Sequence, residues 1–529
     1  MKKIVCLLFS IIFILSLNMA WADEIRTSGL YTYKIKGNGT VTITKFDWDN
    51  NKENIYIPNM IDGYNVTGIE SEAFAKSKYI EKTTYYSVTI PTGITMIGDK
   101  AFMNAPIAMV NIPKNVQKIG AGAFANCALS QFSVEPGNEV YTTIDGALYN
   151  KKEKMLVAWP KYAENKEKIP DGILKIEDYA FYGSVNLILL MDDFIPETVE
   201  EIGNYAFANV TRMFIKKKFL DGNLRKIGNY AFANCEKFQL QDNVIIGNKN
   251  LDIGEGAFEN VTIKIDYEDQ VGLYSKSDET RKANFICARK IGKCAFRNMG
   301  RSGYGRIRLM IDDSVEEIED EAFSGSSCCD LMMTTESNLK VIGKGAFQNG
   351  KALAQWVEVM SYNEDNGHYI KCGTFETPNK LKEIADYSFS SAFTNDQNVF
   401  FPTLEVSEGI QRIGKGAFEK NEYVLYVNLP QTLNEIGEGA FEGCTKLEKL
   451  VFKENSAINK IGKNAFKNCP YLTSIVIPSS VTEIGDNAFD KGTITLQVEQ
   501  GSYAALWASE NGYSYQYSDA EEDTSWLNN

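Results

Sequence analysis

The chain has 529 residues, is 44% hydrophobic and 23% charged, and sets 69 acidic against 55 basic residues for a formal net charge of −14. This is the composition of an ordinary soluble protein, and its negative excess argues against nucleic acid and anionic membrane surfaces as partners. Length alone would suggest three or four globular domains, but an internal repeat overrides that count and points to one elongated body.

Lys2 and Lys3 precede an apolar run over residues 4–17, and Ala20-Trp21-Ala22 places small residues where a peptidase cuts before Asp23. Residues 1–22 therefore read as a secretory signal peptide. The run is shorter than the roughly 20 residues a membrane span requires, and Cys6 lies inside it, away from any lipidation position. An exported chain is expected, secreted or cell-surface associated with the periplasm open, and without a membrane span after cleavage.

Residues 23–45 contain the alternation Tyr31, Tyr33, Ile35, Val41, Ile43 around Gly37-Asn38-Gly39, which predicts a hairpin. Such a hairpin would cap a stack of repeats whose first coil otherwise exposes an apolar end and an unpaired strand edge.

Between residues 46 and 492 the phrase IGxxAF occurs fifteen times with slight drift. Its phenylalanines are Phe74, Phe102, Phe124, Phe181, Phe207, Phe232, Phe258, Phe296, Phe323, Phe347, Phe389, Phe418, Phe441, Phe466 and Phe489. Most neighbours are 22 to 29 residues apart, the signature of a repeat solenoid in which each coil buries its apolar face against the next. A second phrase, as in Ile475-Val476-Ile477-Pro478, precedes the first, and the isoleucine of IGxxAF follows six positions after the proline. The alternating pair predicts a short strand that proline ends, because proline cannot donate to a sheet ladder.

Within IGxxAF, glycine holds the second place in eleven copies, while Glu70, Glu177, Glu319 and Ala385 hold it in the others. Non-glycine residues there exclude a strict left-handed requirement, so glycine predicts close backbone approach between coils. The phrase as a whole predicts a turn and a short helical segment, ended two residues after the phenylalanine by Asn or Gly. Cys127, Cys235, Cys444 and Cys469 follow as part of a buried ladder of small residues. Insertions interrupt the period near residues 131–165, 262–285 and 353–380, the first with a hairpin signature on Asp145-Gly146. Residues 493–517 predict a closing cap of strand, Ser502-capped helix and strand, and residues 518–529 an acidic tail.

The strand ending in IxIP, the aliphatic residue three positions on, and IGxxAFxxC together resemble the BspA-like leucine-rich repeats of bacterial surface and secreted proteins, the treponemal type included. The resemblance spans roughly residues 31–517. It implies a curved leucine-rich repeat solenoid of the α/β type, with predominantly β coils, short helical or 3-10 turns, and caps at both ends. It also implies adhesion to host matrix proteins, epithelium or other bacteria.

Catalytic chemistry is not expected. His368 is the single histidine, and no GxSxG, HExxH or phosphate-loop pattern is present. Cys287, Cys294, Cys328, Cys329 and Cys372 lie off the ladder at spacings that fit no zinc site, although an exported chain could oxidise some pair of them. Asp47, Asp49 and Asn51 alternate like the start of a calcium loop, but Lys52 stands where its glycine belongs. No metal or other cofactor is therefore expected.

Outward strand positions form the candidate ligand face: Tyr56, Thr89, Asn111, Lys168, Met310, Met332, Glu405, Asn428 and Val476. Their mixture of charged, polar and apolar groups suits an extended binding face for a protein or glycan, of the host matrix or another bacterial surface, or an ordinary solvated sheet. The functional readings left open are a non-catalytic recognition and adhesion module and an envelope-associated scaffold.

Overall fold

A computed structural model describes residues 24–518, apart from 49–53, 78–85, 164–167, 186–193, 212, 216–217, 221, 237, 241–244, 265–283, 303–306, 327–328, 335–336, 351–352, 355–359, 364–367 and 394–398. The expected signal peptide and all but the first residue of the acidic tail lie outside the described residues. The chain divides into two compact units, residues 1–167 with 173–186 and residues 168–172 with 187–529.

In the first unit, β1 (Glu24–Ser28), β2 (Tyr31–Ile35) and β3 (Thr40–Phe46) form an antiparallel meander. After β4 (Asn54–Tyr56) and β5 (Met60–Ile61), β3 pairs in parallel with β6 (Tyr64–Ile69). β7 (Tyr86–Thr89), β8 (Met96–Ile97), β9 (Ile107–Ile112), β10 (Lys118–Ile119) and β11 (Ser133–Val134) follow in chain order. Two parallel columns result: β6–β8–β10, carrying the isoleucine of each IGxxAF phrase, and β4–β7–β9–β11, carrying the IxIP-type strands. An inserted meander of β12 (Tyr141–Ile144), β13 (Ala147–Asn150) and β14 (Met155–Ala158) then leads to β15 (Lys175–Ile176), parallel to β14. Asp145 and Gly146 make its first turn with φ of 50° and 78°, as a two-residue hairpin requires.

The second unit repeats the same parallel registers. Its isoleucine bridges pair in order from Glu201–Ile202 through Lys226–Ile227, Asp252–Ile253, Lys290–Ile291 and Glu317–Ile318 to Val341–Ile342. A further set runs from Glu383–Ile384 through Arg412–Ile413, Glu435–Ile436 and Lys460–Ile461 to Glu483–Ile484. Successive residues of a strand face opposite ways, so the isoleucines of both sets are at most 6% exposed. The helix Tyr503–Glu510 is capped by Ser502, whose side chain accepts from the Ala505 N–H.

All fifteen phenylalanines are buried, none more than 5% exposed. In the second unit the rings of Phe207 to Phe489 stack nearly parallel, with centroids 5.0–5.5 Å apart. Each ring is held by its own peptide group: the Phe232 N–H donates to the Ala257 carbonyl at 2.7 Å and the Phe466 N–H to Ala488 at 2.8 Å. The acceptor is the carbonyl of the alanine of the next phrase, or of Ser388 where serine takes its place. Two further residues join the column without belonging to an IGxxAF phrase. Phe46 donates to Ala73 at 2.7 Å and stacks on Phe74, and Trp159 donates to Ala180 at 2.7 Å and stacks on Phe181. The insertion near 131–165 thus contains a disguised repeat, in which Leu156 and Trp159 stand for the isoleucine and phenylalanine with two residues fewer between them.

The turn geometry corrects one expectation. The described phrases carry turns where a short helical or 3-10 segment was expected, because the residue two before each phenylalanine has φ between 53° and 64° in all fifteen copies. A left-handed residue there interrupts any helix. Ten of these are not glycine, among them Tyr179, Tyr205, Tyr230 and Tyr387. The residue two after the phenylalanine is also left-handed in thirteen copies, mostly Asn or Gly as expected, but also Ser391 and Lys420.

Glycine in the second place of the phrase answers a different need. A methyl group on Gly343 would lie 2.4 Å from the Asp320 nitrogen, and one on Gly485 2.4 Å from the Lys463 nitrogen. Neither position has a positive φ; the constraint is close approach of two backbones.

Two stability changes follow. Phe418→Ala, deep in the ring column, should cost about 3–5 kcal/mol in denaturant unfolding. Gly343→Ala should cost about 1–3 kcal/mol by overpacking, whereas Gly300→Ala, whose nearest neighbour would be 3.8 Å away, should stay far closer to the parent in the same measurement.

Candidate functional site

The outward strand residues gather in separate groups. In the first unit Tyr56, Thr89 and Asn111 stand in register across β4, β7 and β9, and Ser133 of β11 extends the row. Between them and the core lie Ile55, Val88 and Val110, each buried. The neighbouring outward row is Asn54, Ser87 and Met109. Tyr56 is 68% and Met109 63% exposed, so the face offers two large apolar groups among hydroxyls and amides. Ser133 Oγ donates to Asn111 Oδ1 at 2.9 Å, and the Tyr31 hydroxyl donates to the Tyr56 carbonyl at 3.0 Å, fixing the edge strand.

In the second unit Met310 and Met332 are paired in register; Met310 is half-buried, and the side chain of Met332 lies outside the described residues. Glu405 and Asn428 are also partners. The Asn428 amide donates to Glu405 at 2.7 Å, while the Lys453 ammonium lies 3.7 Å from Glu405 and 3.0 Å from Glu408. These polar side chains satisfy one another, which leaves less for a ligand than their exposure alone suggests. Val476, 52% exposed, stands opposite Gln497, itself opposite Gln516. Lys168 lies outside any strand, 3.3 Å from Asp171. The sequence list omitted Met109, Tyr426 and Val451, all exposed. Strand alternation carried the signal for Met109 and Tyr426, which lie two residues from Asn111 and Asn428 on the same face.

A different surface follows the isoleucine bridges of the second unit. The residues before the isoleucines read Glu201, Lys226, Asp252, Lys290, Glu317, Val341 and then Glu383, Arg412, Glu435, Lys460, Glu483, so acid and base alternate across the parallel register except at the exposed Val341. Lys460 lies 3.3 Å from Glu483 and 3.8 Å from Glu435, and Arg412 3.6 Å from Glu383 and 2.9 Å from Asp386. Exposed pairs of this kind contribute little stability singly, but they neutralise the surface and hold register against like-charge contacts.

A groove of about 920 Å³ opens in the first unit where the inserted meander interrupts the isoleucine column. Strand β10 pairs only with β8. On its other side the Ile119 N–H donates to the Tyr141 hydroxyl at 2.7 Å. The tyrosine takes the place that the next strand of the column would have filled.

The cysteine ladder is a hydrogen-bond ladder as well as a packing one. The thiols of Cys127, Cys235, Cys444 and Cys469 donate to the carbonyls of Phe102, Phe207, Phe418 and Phe441 at 3.0, 3.3, 3.3 and 3.3 Å. Ser326 makes the same bond to Phe296, and the Asn421 amide reaches Phe389 at 2.8 Å. Burial pushes the thiols of Cys127, Cys235 and Cys444 up to about 12. The half-buried Cys287 is pushed up to about 11 by burial and then by Asp312. Cys294 occupies one of the left-handed positions and is buried. The side chains of His368, Cys328, Cys329 and Cys372 lie outside the described residues, as do Asp49, Asn51 and Lys52. Among the described residues no three His, Cys, Asp or Glu side chains cluster as metal ligands, and no helix is long and apolar enough to cross a membrane.

A family model for the BspA type leucine rich repeat region matches residues 67–155, 162–271, 285–393 and 368–497. The chain belongs to this family, and its repeat fold is built mostly of strands with very little helix among the described residues. Among solved structures it is similar to a leucine rich cell surface protein from Faecalibacterium prausnitzii A2-165, with 21% identity over 82% of this chain and 95% of that one and a TM-score of 0.39. A leucine-rich repeat protein from Bacteroides ovatus matches at 17% identity over 90% and 100% of the two chains, with a TM-score of 0.43. The pneumococcal vaccine antigen PcpA matches at 15% over 94% and 98%, with a TM-score of 0.32. No curated protein matches the chain in sequence.

The thiol ladder makes stability depend on alkaline pH. The unfolded chain's thiols ionise from about 8.5, whereas the folded ones stay neutral until about 12. Their stabilising contribution is therefore complete below about 8.5 and is lost as pH rises toward the folded value. The melting temperature should fall between pH 8 and 11, and a Cys235→Ser/Cys444→Ser variant, which keeps the donor as Ser326 does, should fall less steeply over that range.

Proposed function

We propose that this chain is an exported recognition module that binds a protein or glycan outside the cytoplasm through the outward strand face and performs no catalysis. In this reading its repeats form a curved, elongated solenoid, closed by the β1–β3 meander at one end and by the Tyr503–Glu510 helix and its flanking strands at the other. The supporting observation is the face of β4, β7, β9 and β11. It sets Tyr56 and Met109 in water at 68% and 63% exposure beside Thr89, Asn111 and Ser133. Solvated aromatic and methionine side chains ringed by small polar groups are what protein interfaces draw their strongest contacts from. The alternating charges of the isoleucine bridges, by contrast, are neutralised within the chain. Membership in a cell-surface repeat family supports the same reading.

The test is capture of immobilised host matrix proteins and mucins by the purified chain. Tyr56→Ala with Met109→Asp should weaken capture at least tenfold at unchanged melting temperature, and Lys226→Ala should leave it as it was. Unchanged capture by the double variant would move the binding surface away from this face; the paired changes Lys168→Glu and Glu405→Lys then test the second unit.

A further inference from the structure

We propose that the groove beside β10 binds neutral oligosaccharides. This inference rests on the recognition reading above and assigns one ligand class to a second surface. The groove's volume of about 920 Å³ lies within the range of small-ligand sites, about 300–1,000 Å³. It exists because the column of isoleucine bridges is broken at β10, so peptide groups that elsewhere face another strand here face open space. In the intact part of the column the Ile97 carbonyl accepts the Gly120 N–H at 2.8 Å; the Ile119 carbonyl has no strand beyond it.

Three features of the lining select the ligand. Donors and acceptors are dense and mixed: the lining includes Gln117 and Lys118 from β10 and the residue before it, and Lys152 and Glu153 from the meander. None of these four side chains is held in an ion pair among the described residues. Sugar hydroxyls, which both donate and accept, can satisfy such a surface. Next, an added peptide strand is disfavoured, because the Ile119 N–H it would use is already bound by the Tyr141 hydroxyl. The Tyr141 ring is 4% exposed and offers a protein partner no aromatic anchor. Finally, Glu177 is paired with Lys175 at 3.7 Å, and the other carboxylates of the lining, Asp99, Glu139 and Glu153, match its three lysines, Lys114, Lys118 and Lys152. The groove therefore carries no net positive charge to draw a sulfated or uronate-rich polysaccharide.

The experiment presents the full exported chain to an array of neutral oligosaccharides with galactose, mannose, fucose and N-acetylhexosamine termini, alongside sulfated and uronate-containing oligosaccharides and extended peptides. Binding confined to neutral members is expected. Calorimetry on the best of them should show at least a tenfold loss of affinity in the exposed double variant Gln117→Ala/Glu153→Ala at unchanged melting temperature, and no loss in Tyr56→Ala. Absence of neutral binding, preference for the acidic oligosaccharides or the peptides, or undiminished affinity in the groove variant would each overturn the proposal. Those outcomes leave capture through the strand face unaffected, since its variants are read separately.

Discussion

The bond from a phenylalanine N–H to the carbonyl of the residue before the next repeat's ring, an alanine in every such pair except Phe347 to Ser388 and 2.7–2.9 Å long wherever it recurs, is the constraint on which the rest of the structure depends. A buried peptide group without a partner is costly, and a repeat of some 25 residues cannot satisfy this one internally. The bond fixes the spacing of repeats at about the 5 Å separation of hydrogen-bonded strands, and that spacing puts the rings into stacking contact. It also explains why glycine at positions such as 343 and 485 is squeezed between backbones. The carbonyls of several phenylalanines are then closed by a thiol, hydroxyl or amide three residues after the ring of the following repeat.

Much of this arrangement was legible in the sequence because it recurs. A single IGxxAF says little, but fifteen copies identify which positions are held constant, and the buried phenylalanines, the close-approach glycines and the left-handed asparagines follow. What recurrence does not reveal is a position whose chemistry is uniform while its residues vary. The left-handed residue two before the ring is filled by Glu72, Lys100, Tyr205 and Cys294 as well as by glycine in five copies, so the pattern suggests a short helical segment after the turn where the chain only turns. Trp159 was hidden for the opposite reason: a different aromatic at altered spacing performs the same role. In the sequence the thiols pass for small apolar groups, because the pattern does not distinguish a thiol that donates to a carbonyl from one that only packs.

The candidate binding surfaces depend on departures from this regularity. Strand alternation identifies which side chains point outward, but whether they are available is a matter of their neighbours. Glu405 and Asn428 are engaged with each other and with Lys453, whereas Tyr56 and Met109 stand apart in water. The groove at β10 was not legible at all. It arises from a missing strand and from Tyr141 capping the exposed peptide group, neither of which a pattern search for repeated residues can detect. In this chain the two candidate surfaces lie where the repeat is interrupted or decorated, not in the phrases that recur.

Native-state hydrogen exchange of the phenylalanine amides tests the central claim most directly. If the inter-repeat peptide bond holds each stack together, the amides of Phe232, Phe258, Phe296 and Phe323 should be among the slowest in the chain and should exchange together, with the free energy of unfolding their unit. Exchange of these amides at separate, faster rates typical of exposed turns would contradict it.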